Sequence, residues 1–123
     1  VGDNAARKQE VKAAGLFFPV LVHPSAWVSP SARLSEGTVV MAGAIIQAEA
    51  WIGRHVIVNT GATVDHHCLI ADYAHIAPGA HLCGKVRVGE GTLVGVGVGI
   101  APNTRIPAWS IVKAARLDIC PTK

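Results

Sequence analysis

Five of the six histidines, all but His23, fall between His55 and His81. Within that stretch, Asn59-Thr60-Gly61-Ala62-Thr63-Val64-Asp65-His66-His67-Cys68 sets an amide, a carboxylate, two imidazoles and a thiol side by side. Imidazole takes and gives a proton near neutral pH, so a reachable histidine here suits general acid–base work. An adjacent carboxylate can hold an imidazole in one tautomer and raise its basicity, which makes Asp65 the natural partner of His66. A histidine cluster can also hold zinc and lower the pKa of a bound water.

A repeat positions these groups. Stepping by six from Val22 gives Val22, Val28, Leu34, Val40, Ile46, Ile52, Val58, Val64, Ile70, Ile76, Leu82, Val88, Val94, Ile100, Ile106 and Val112, with no exception. Four residues after each stands a small or β-branched residue, from Ala26 to Ser110, and the series fails at Arg116. Gly, Pro, Asn and Asp crowd the positions between, where turns are expected. A period of six fits neither an amphipathic helix nor a meander of hairpins. It fits a solenoid of short strands, three hexads to a coil, whose aliphatics point inward and stack on the next coil about 4.8 Å away. Sixteen hexads make about five coils. Spacing does not give the hand of the coil; most parallel crossovers are right-handed.

In this register Val64 and Cys68 point inward, and His66 and His67 lie on the turn between them, where at least one meets solvent. Cys68 reads as core, not as a nucleophile. One coil beyond His66 stands Gly84, and a glycine stacked beside a histidine is expected to leave space for a ligand and a free backbone N–H. His75 and His81 each precede an inward aliphatic and are open to the reading that they decorate one face. Trp27, Trp51 and Trp109 are not spaced by whole coils, so they do not stack as one ladder. Before the coils, Asp3 or Asn4 is expected to cap a short helix running through Ala14, stopped by Gly15. The expected boundaries are a helical segment and linker over 1–19, coils over 20–116 and a tail over 117–123.

Composition narrows the partners. Half of the 123 residues are hydrophobic and only 15% are charged, too apolar for disorder. Eleven Lys and Arg against eight Asp and Glu leave a formal charge of +3, which does not argue for nucleic acid. The surplus is concentrated: Lys85, Arg87, Arg105, Lys113, Arg116 and Lys123 face only Glu90 and Asp118 in the last third. That bias suits an anionic ligand, or a solvated basic face. The apolar run Leu93–Ala101 is too short to span a membrane, and no signal peptide pattern appears. A start at Val1 is expected of a fragment or processed chain. Cys68, Cys83 and Cys120 cannot all pair within one chain and show no CxxC spacing, which fits a reduced, cytoplasmic setting.

Residues 22–32, "VHPSAWVSPSA", and 58–103, "VNTGATVDHHCLIADYAHIAPGAHLCGKVRVGEGTLVGVGVGIAPN", resemble the hexapeptide-repeat sugar acetyltransferases of the sialic-acid and bacillosamine type. The NT-x-x-x-V-[DE]-H-x-C element and the [FY]-x-H-[IV] element carry the resemblance more specifically than the hexads, which many acyltransferases share. The opening "VGDNAARKQ" is similar to the last helix of the α/β domain that precedes the coils in that family. The resemblance implies an all-β, left-handed parallel β-helix. It implies acetyl-CoA as co-substrate, no metal, a sugar or nucleotide-sugar acceptor, and a homotrimer with sites between subunits. It further implies His66 as general base and Asp65 as its orienting partner, with His75 near the thioester of acetyl-CoA. Gly84 would offer its N–H to the acetyl carbonyl, Gly95 and Val96 would line the pantetheine groove, and Asn59 with His67 would meet the acceptor.

Three departures from that family's pattern stand out. His67 occupies a position where an acidic residue is common. Most of the α/β domain that holds the acceptor has no counterpart here. The C-terminal end lacks the usual closing coil and its G-x-P-A type ending; Ile111–Arg116 resembles a shortened version. Two other readings of the coils remain. One is a zinc enzyme of the γ-carbonic-anhydrase kind, although no two histidines here have the five-residue spacing of that group. The other is a trimerisation module without catalysis.

Overall fold

The structure is a computed structural model that describes residues 3–114. Sixteen two-residue strands run from β1 (Leu21–Val22) to β16 (Ile111–Val112) in six-residue steps, and each ends on one of the sixteen repeat aliphatics. Every pairing is parallel and joins residues one coil apart, as in Ile57↔His75 and His75↔Leu93. The strands form three sheets: a first face of six strands (β1-β4-β7-β10-β13-β16), a second of five (β2-β5-β8-β11-β14) and a third of five (β3-β6-β9-β12-β15). The product is a left-handed β-helix of about five coils. Expectations for Arg116, Cys120 and the tail fall outside the described residues.

The core follows from the repeat. The aliphatics from Val40 to Ile106 are all 8% exposed or less, and the small residues from Ala44 to Val98 sit between them. Each buried aliphatic contributes roughly 1.5–3 kcal/mol relative to exposure. Four small positions carry hydroxyls, and all are satisfied: Thr38 Oγ1 donates to Gly53 O, Thr92 Oγ1 and Ser110 Oγ to Pro107 O, and Thr104 Oγ1 to Ala101 O, each at 2.7 Å. The Cys68 thiol is fully buried, donates to Cys83 O and is pushed up by desolvation, so it belongs to the core.

The turns are as regular as the strands. From Gly37 to Trp109, every third residue after an inward aliphatic has positive φ, between 53° and 74°. Coil-to-coil hydrogen bonds at these residues, such as Gly61 N–H to Ala42 O at 2.9 Å, enforce the left-handed backbone even where the residue is not glycine. The three corners differ in what fills this position. The first, between the first and second faces, is all glycine: Gly43, Gly61, Gly79 and Gly97. The second, between the second and third faces, carries Glu49, His67, Lys85 and Asn103. The third carries Gly37, His55, Tyr73, Gly91 and Trp109.

Helix α1 (Asn4–Ala14) begins on Asp3, whose carboxylate accepts the Ala6 N–H, and ends on Gly15 at φ 60°. Its apolar face is thin, and it docks on the third corner through polar groups instead. Asn4 donates to Gly91 O at 2.9 Å, and Arg7 donates to His55 O and Tyr73 O. Lys8 pairs with Glu90 over the rings of Tyr73 and Trp109. The helix therefore meets outward carbonyls of successive corner residues with donors.

His55 at this corner is packed between Phe18, edge-on at 5.4 Å, and Tyr73, stacked at 5.5 Å. Burial holds its imidazole below the ordinary histidine value; Arg7 and Arg54 add to this, and Glu36 and Asp72 oppose it. Above the unfolded-state value both states are neutral and the group contributes nothing to pH dependence. As pH falls through that value the unfolded chain protonates first, so stability is lost, until pH passes below the folded value. Between about pH 7 and pH 5 the melting temperature is expected to fall more steeply for the native chain than for His55→Asn. Parallel slopes in a thermal-melt series would refute this.

Candidate active site

His66 and His67 lie on the second corner, between β8 (Thr63–Val64) and β9 (Leu69–Ile70). Val64 and Cys68, both fully buried, clamp the turn from either end, so the two imidazoles project outward and are exposed. His67 takes the left-handed backbone at φ 57°. The Asp65 carboxylate accepts the backbone N–H of His66 at 2.7 Å, which fixes the turn and not the ring. The ring partner is His67: the two Nδ1 atoms are 3.1 Å apart with the ring planes at 81°. Such a bond needs one donor. With His66 donating from Nδ1, its Nε2 carries the lone pair that a general base uses.

Gly84 stacks one coil above His66. A Cβ on Gly84 would lie 2.6 Å from His66 Nε2 and 2.7 Å from Cε1. The space expected for a ligand beside this glycine is therefore taken by the His66 imidazole, which the missing side chain seats. The other half of that expectation stands, since the Gly84 N–H has no hydrogen bond among the described residues. An undonated N–H near an imidazole is a group that can stabilise an oxyanion next to a base.

The remaining candidates gather at the first corner. Asn59 Oδ1 accepts the Thr60 N–H at 2.7 Å, which orients the amide so that Nδ2 meets His75 Nε2 at 3.1 Å. His75 Nε2 is then an acceptor, and the ring is the neutral Nδ1–H tautomer. Gly95 and Val96 continue the same corner, with Val96 68% exposed. His75 belongs to the first face and His81 to the second, where it meets Thr63 Oγ1 at 2.8 Å, so they do not share a face.

One chain thus presents two separate groups of candidates. His66, Asp65, His67 and Gly84 occupy the second corner; Asn59, Gly95 and Val96 occupy the first, with His75 on the adjoining strand of the first face. A full six-residue side of the triangle, at most about 20 Å long, lies between them. Among the described residues, no group of three His, Cys, Asp or Glu side chains is placed to hold a metal ion.

Sequence reading counted Arg87 and Arg105 in a basic surplus suited to an anionic ligand but did not place them together on the third face beside His67. There Arg87 and Arg105 stand in direct register on β12 (Arg87–Val88) and β15 (Arg105–Ile106), above Leu69 and Trp51. Their eighteen-residue separation was the available signal.

No family model matches the sequence. Solved structures do. The chain is similar to the acetyltransferase domain of PglB from Neisseria gonorrhoeae, with 46% identity over 90% of this chain and 56% of that one, at a TM-score of 0.88. The same domain in complex with acetyl coenzyme A matches at 44% identity, covering 98% of this chain and 60% of that one, TM-score 0.89. A histidine-to-asparagine variant of perosamine N-acetyltransferase from Caulobacter crescentus, in complex with CoA and GDP-perosamine, matches at 43% identity over 90% and 54%, TM-score 0.86. The chain spans a little over half the length of these proteins.

Proposed function

Because the chain is a hexapeptide-repeat β-helix of the sugar acetyltransferase type, we propose that it transfers the acetyl group of acetyl-CoA to an amino or hydroxyl group of a sugar or nucleotide-sugar. One observation carries this reading: the His66 imidazole rests on Gly84, whose N–H has no acceptor among the described residues. In that arrangement His66 Nε2 takes the proton of the acceptor as its nitrogen or oxygen attacks the thioester carbon. The developing oxyanion is met by the Gly84 N–H. Collapse of the tetrahedral species breaks the C–S bond, and the imidazolium returns its proton to the departing thiolate of CoA. Asp65 holds the turn that aims His66, and His67 holds the ring. The neighbours solved with acetyl-CoA and with CoA and GDP-perosamine support the choice of substrates.

His75, Gly95 and Val96 act on the same acetyl-CoA, and Asn59 on the acceptor, from a second copy of the chain. The split of the candidates between two corners supports this, as does the outward ladder Leu21, Val39, Ile57, His75, Leu93 and Ile111 of the first face, apolar at every rung but His75, which self-association would cover. We place the assembly as a homotrimer, in which each second corner meets a neighbour's first corner. Its residence is the cytoplasm, in keeping with free Cys68 and Cys83. Among the described residues no helix is long and apolar enough to cross a membrane.

The deciding experiment is calorimetry with acetyl-CoA followed by turnover of a nucleotide-linked amino sugar. Binding that survives chelator treatment and weakens in His75→Ala is expected. Failure to bind acetyl-CoA at millimolar concentration would end this reading, and activity lost to chelator would replace it with a metal-dependent one. Gly84→Ala provides a sharper check. Its Cβ would displace only the far end of the His66 side chain, so stability is expected to change by less than about 1 kcal/mol. The displaced ring is expected to cost about a hundredfold in turnover. A fully active, equally stable Gly84→Ala chain would contradict the seat we assign to His66.

A further inference from the structure

The two ends of the His66 imidazole have different surroundings. Its Nε2 end lies over Gly84, where an added Cβ would come within 2.6 Å. Its Nδ1 end faces the Nδ1 of His67 at 3.1 Å, with the ring planes at 81°. Both residues are exposed. The turn beneath them is held at every point. Val64 and Cys68 are fully buried on either side, the Asp65 carboxylate takes the His66 N–H, and the His67 N–H donates to Ala48 O at 3.0 Å. Two ring nitrogens this close share a proton, and a metal ion can take the proton's place. Zinc binds imidazole nitrogen at about 2.0–2.1 Å, so nitrogens 3.1 Å apart subtend about 100° at the metal, near the tetrahedral value. Among the described residues no third His, Cys, Asp or Glu joins them, so water completes the coordination. The charges around the pair are mixed. Asp65 and Glu49 are negative, the latter one coil below His67; Lys85 is positive one coil above, and Arg87 and Arg105 line the groove beyond. That balance offers little to Mg²⁺ or Ca²⁺, which are held by oxygen ligands. Neutral imidazole nitrogens select zinc and copper instead.

We propose that the His66–His67 pair is an inhibitory zinc site, in which the metal binds both Nδ1 atoms and holds His66 in the tautomer that cannot act as a base. A neutral imidazole carries one proton. With its Nδ1 lone pair given to the metal, that proton resides on Nε2. An Nε2–H is a donor and takes no proton from an acceptor. The exchange balances without a co-reactant. Before binding, His66 carries its proton on Nδ1 and His67 accepts it, so His67 is the Nε2–H tautomer. On binding, two coordinate bonds form, the His66 proton moves through solvent from Nδ1 to Nε2, and His67 is unchanged. The metal thus switches off the base from behind, with the Gly84 side of the ring still open. His67 is the residue that makes this possible: the acidic residue common at this position in the family would leave a single nitrogen at the turn. The inhibition rests on the acetyl-transfer reading; the metal site does not.

The test titrates the full chain with Zn²⁺ by calorimetry, with Cu²⁺ as a spectroscopic probe and Mg²⁺ as control. One Zn²⁺ per chain is expected, Cu²⁺ is expected to bind more tightly and to show nitrogen hyperfine coupling, and Mg²⁺ is expected not to bind. His66→Asn and His67→Asn, both at exposed positions, should each weaken zinc at least tenfold, whereas His23→Asn and His81→Asn should change it less than twofold. Nitrogen-15 spectra should show the His66 proton on Nε2 in the zinc form. In turnover, zinc should lower kcat, leave the acetyl-CoA affinity unchanged and be reversed by chelator. Whatever turnover His67→Asn retains should need at least tenfold more zinc to inhibit. No zinc binding at submillimolar concentration, or equal affinity in the two variants, overturns the proposal. So does zinc that leaves kcat unchanged and competes with acetyl-CoA, since the metal then lies elsewhere. An active chain that binds no zinc sinks this inference alone. A chain that binds zinc through both histidines but neither binds acetyl-CoA nor transfers acetyl sinks the transferase reading, and the inhibition with it.

Discussion

His66→Ala is expected to lower turnover by about two to four orders of magnitude while leaving the coil intact. The side chain is exposed, and Val64 and Cys68 hold the turn on either side. The hydrogen bond from the residue-66 N–H to Asp65 does not depend on the ring. The substitution therefore removes the imidazole and little else. Affinity for acetyl-CoA is expected to stay within a few-fold, because the base acts on the acceptor proton and its contribution appears in the transition state. Added imidazole should restore part of the rate, since the pocket over Gly84 that the ring vacates is open to solvent. His67→Ala should fall between the native chain and His66→Ala: it keeps the base and loses the atom 3.1 Å away that fixes its tautomer. His67→Asn, which offers an acceptor from the same backbone, should recover more of the loss than His67→Leu. A His66→Ala chain within tenfold of native turnover would remove His66 from the role of base.

Much of this was legible in the sequence, for a physical reason. A coil that repeats every eighteen residues maps sequence position onto face and corner by arithmetic, so the sixteen strands end on the aliphatics that the six-residue step picks out. The helix bounds were readable too, because Asp3 and Gly15 are cap residues whose chemistry is local. What could not be read depended on side-chain direction and on contacts between coils. Gly84 implied room, but the rotamer of His66 decided what fills it. Asp65 beside His66 implied a carboxylate–imidazole pair; the nearer N–H of the turn took the carboxylate, as short acidic side chains in turns do. Tyr73 and Trp109 hold left-handed backbone without the composition that signals it, because the bonds from the coil below impose it. The helix gave no sign of its dock, since its partners are backbone carbonyls and not an apolar surface.

Mixing two inactive variants should restore activity. His66→Ala damages the second corner and leaves Asn59, His75 and Gly95 untouched; His75→Ala damages the first corner and leaves His66 and Gly84 untouched. If each site joins the second corner of one chain to the first corner of its neighbour, a mixed ring contains interfaces at which both halves are native. With random assembly from equal amounts, a given interface needs a native second corner on one side and a native first corner on the other. It therefore arises about one time in four, and recovered turnover is expected near a quarter of native for a head-to-tail ring. The comparison with the separate variants makes this a large effect, because each homogeneous ring has every interface damaged. A control fixes the geometry: the double variant His66→Ala/His75→Ala mixed with native chains should supply no interface that the native chains did not already make. Turnover of the two-variant mixture that merely averages its components, after subunit exchange has been verified, would mean that the two corners do not serve one site. The candidates at the first corner would then need a role of their own.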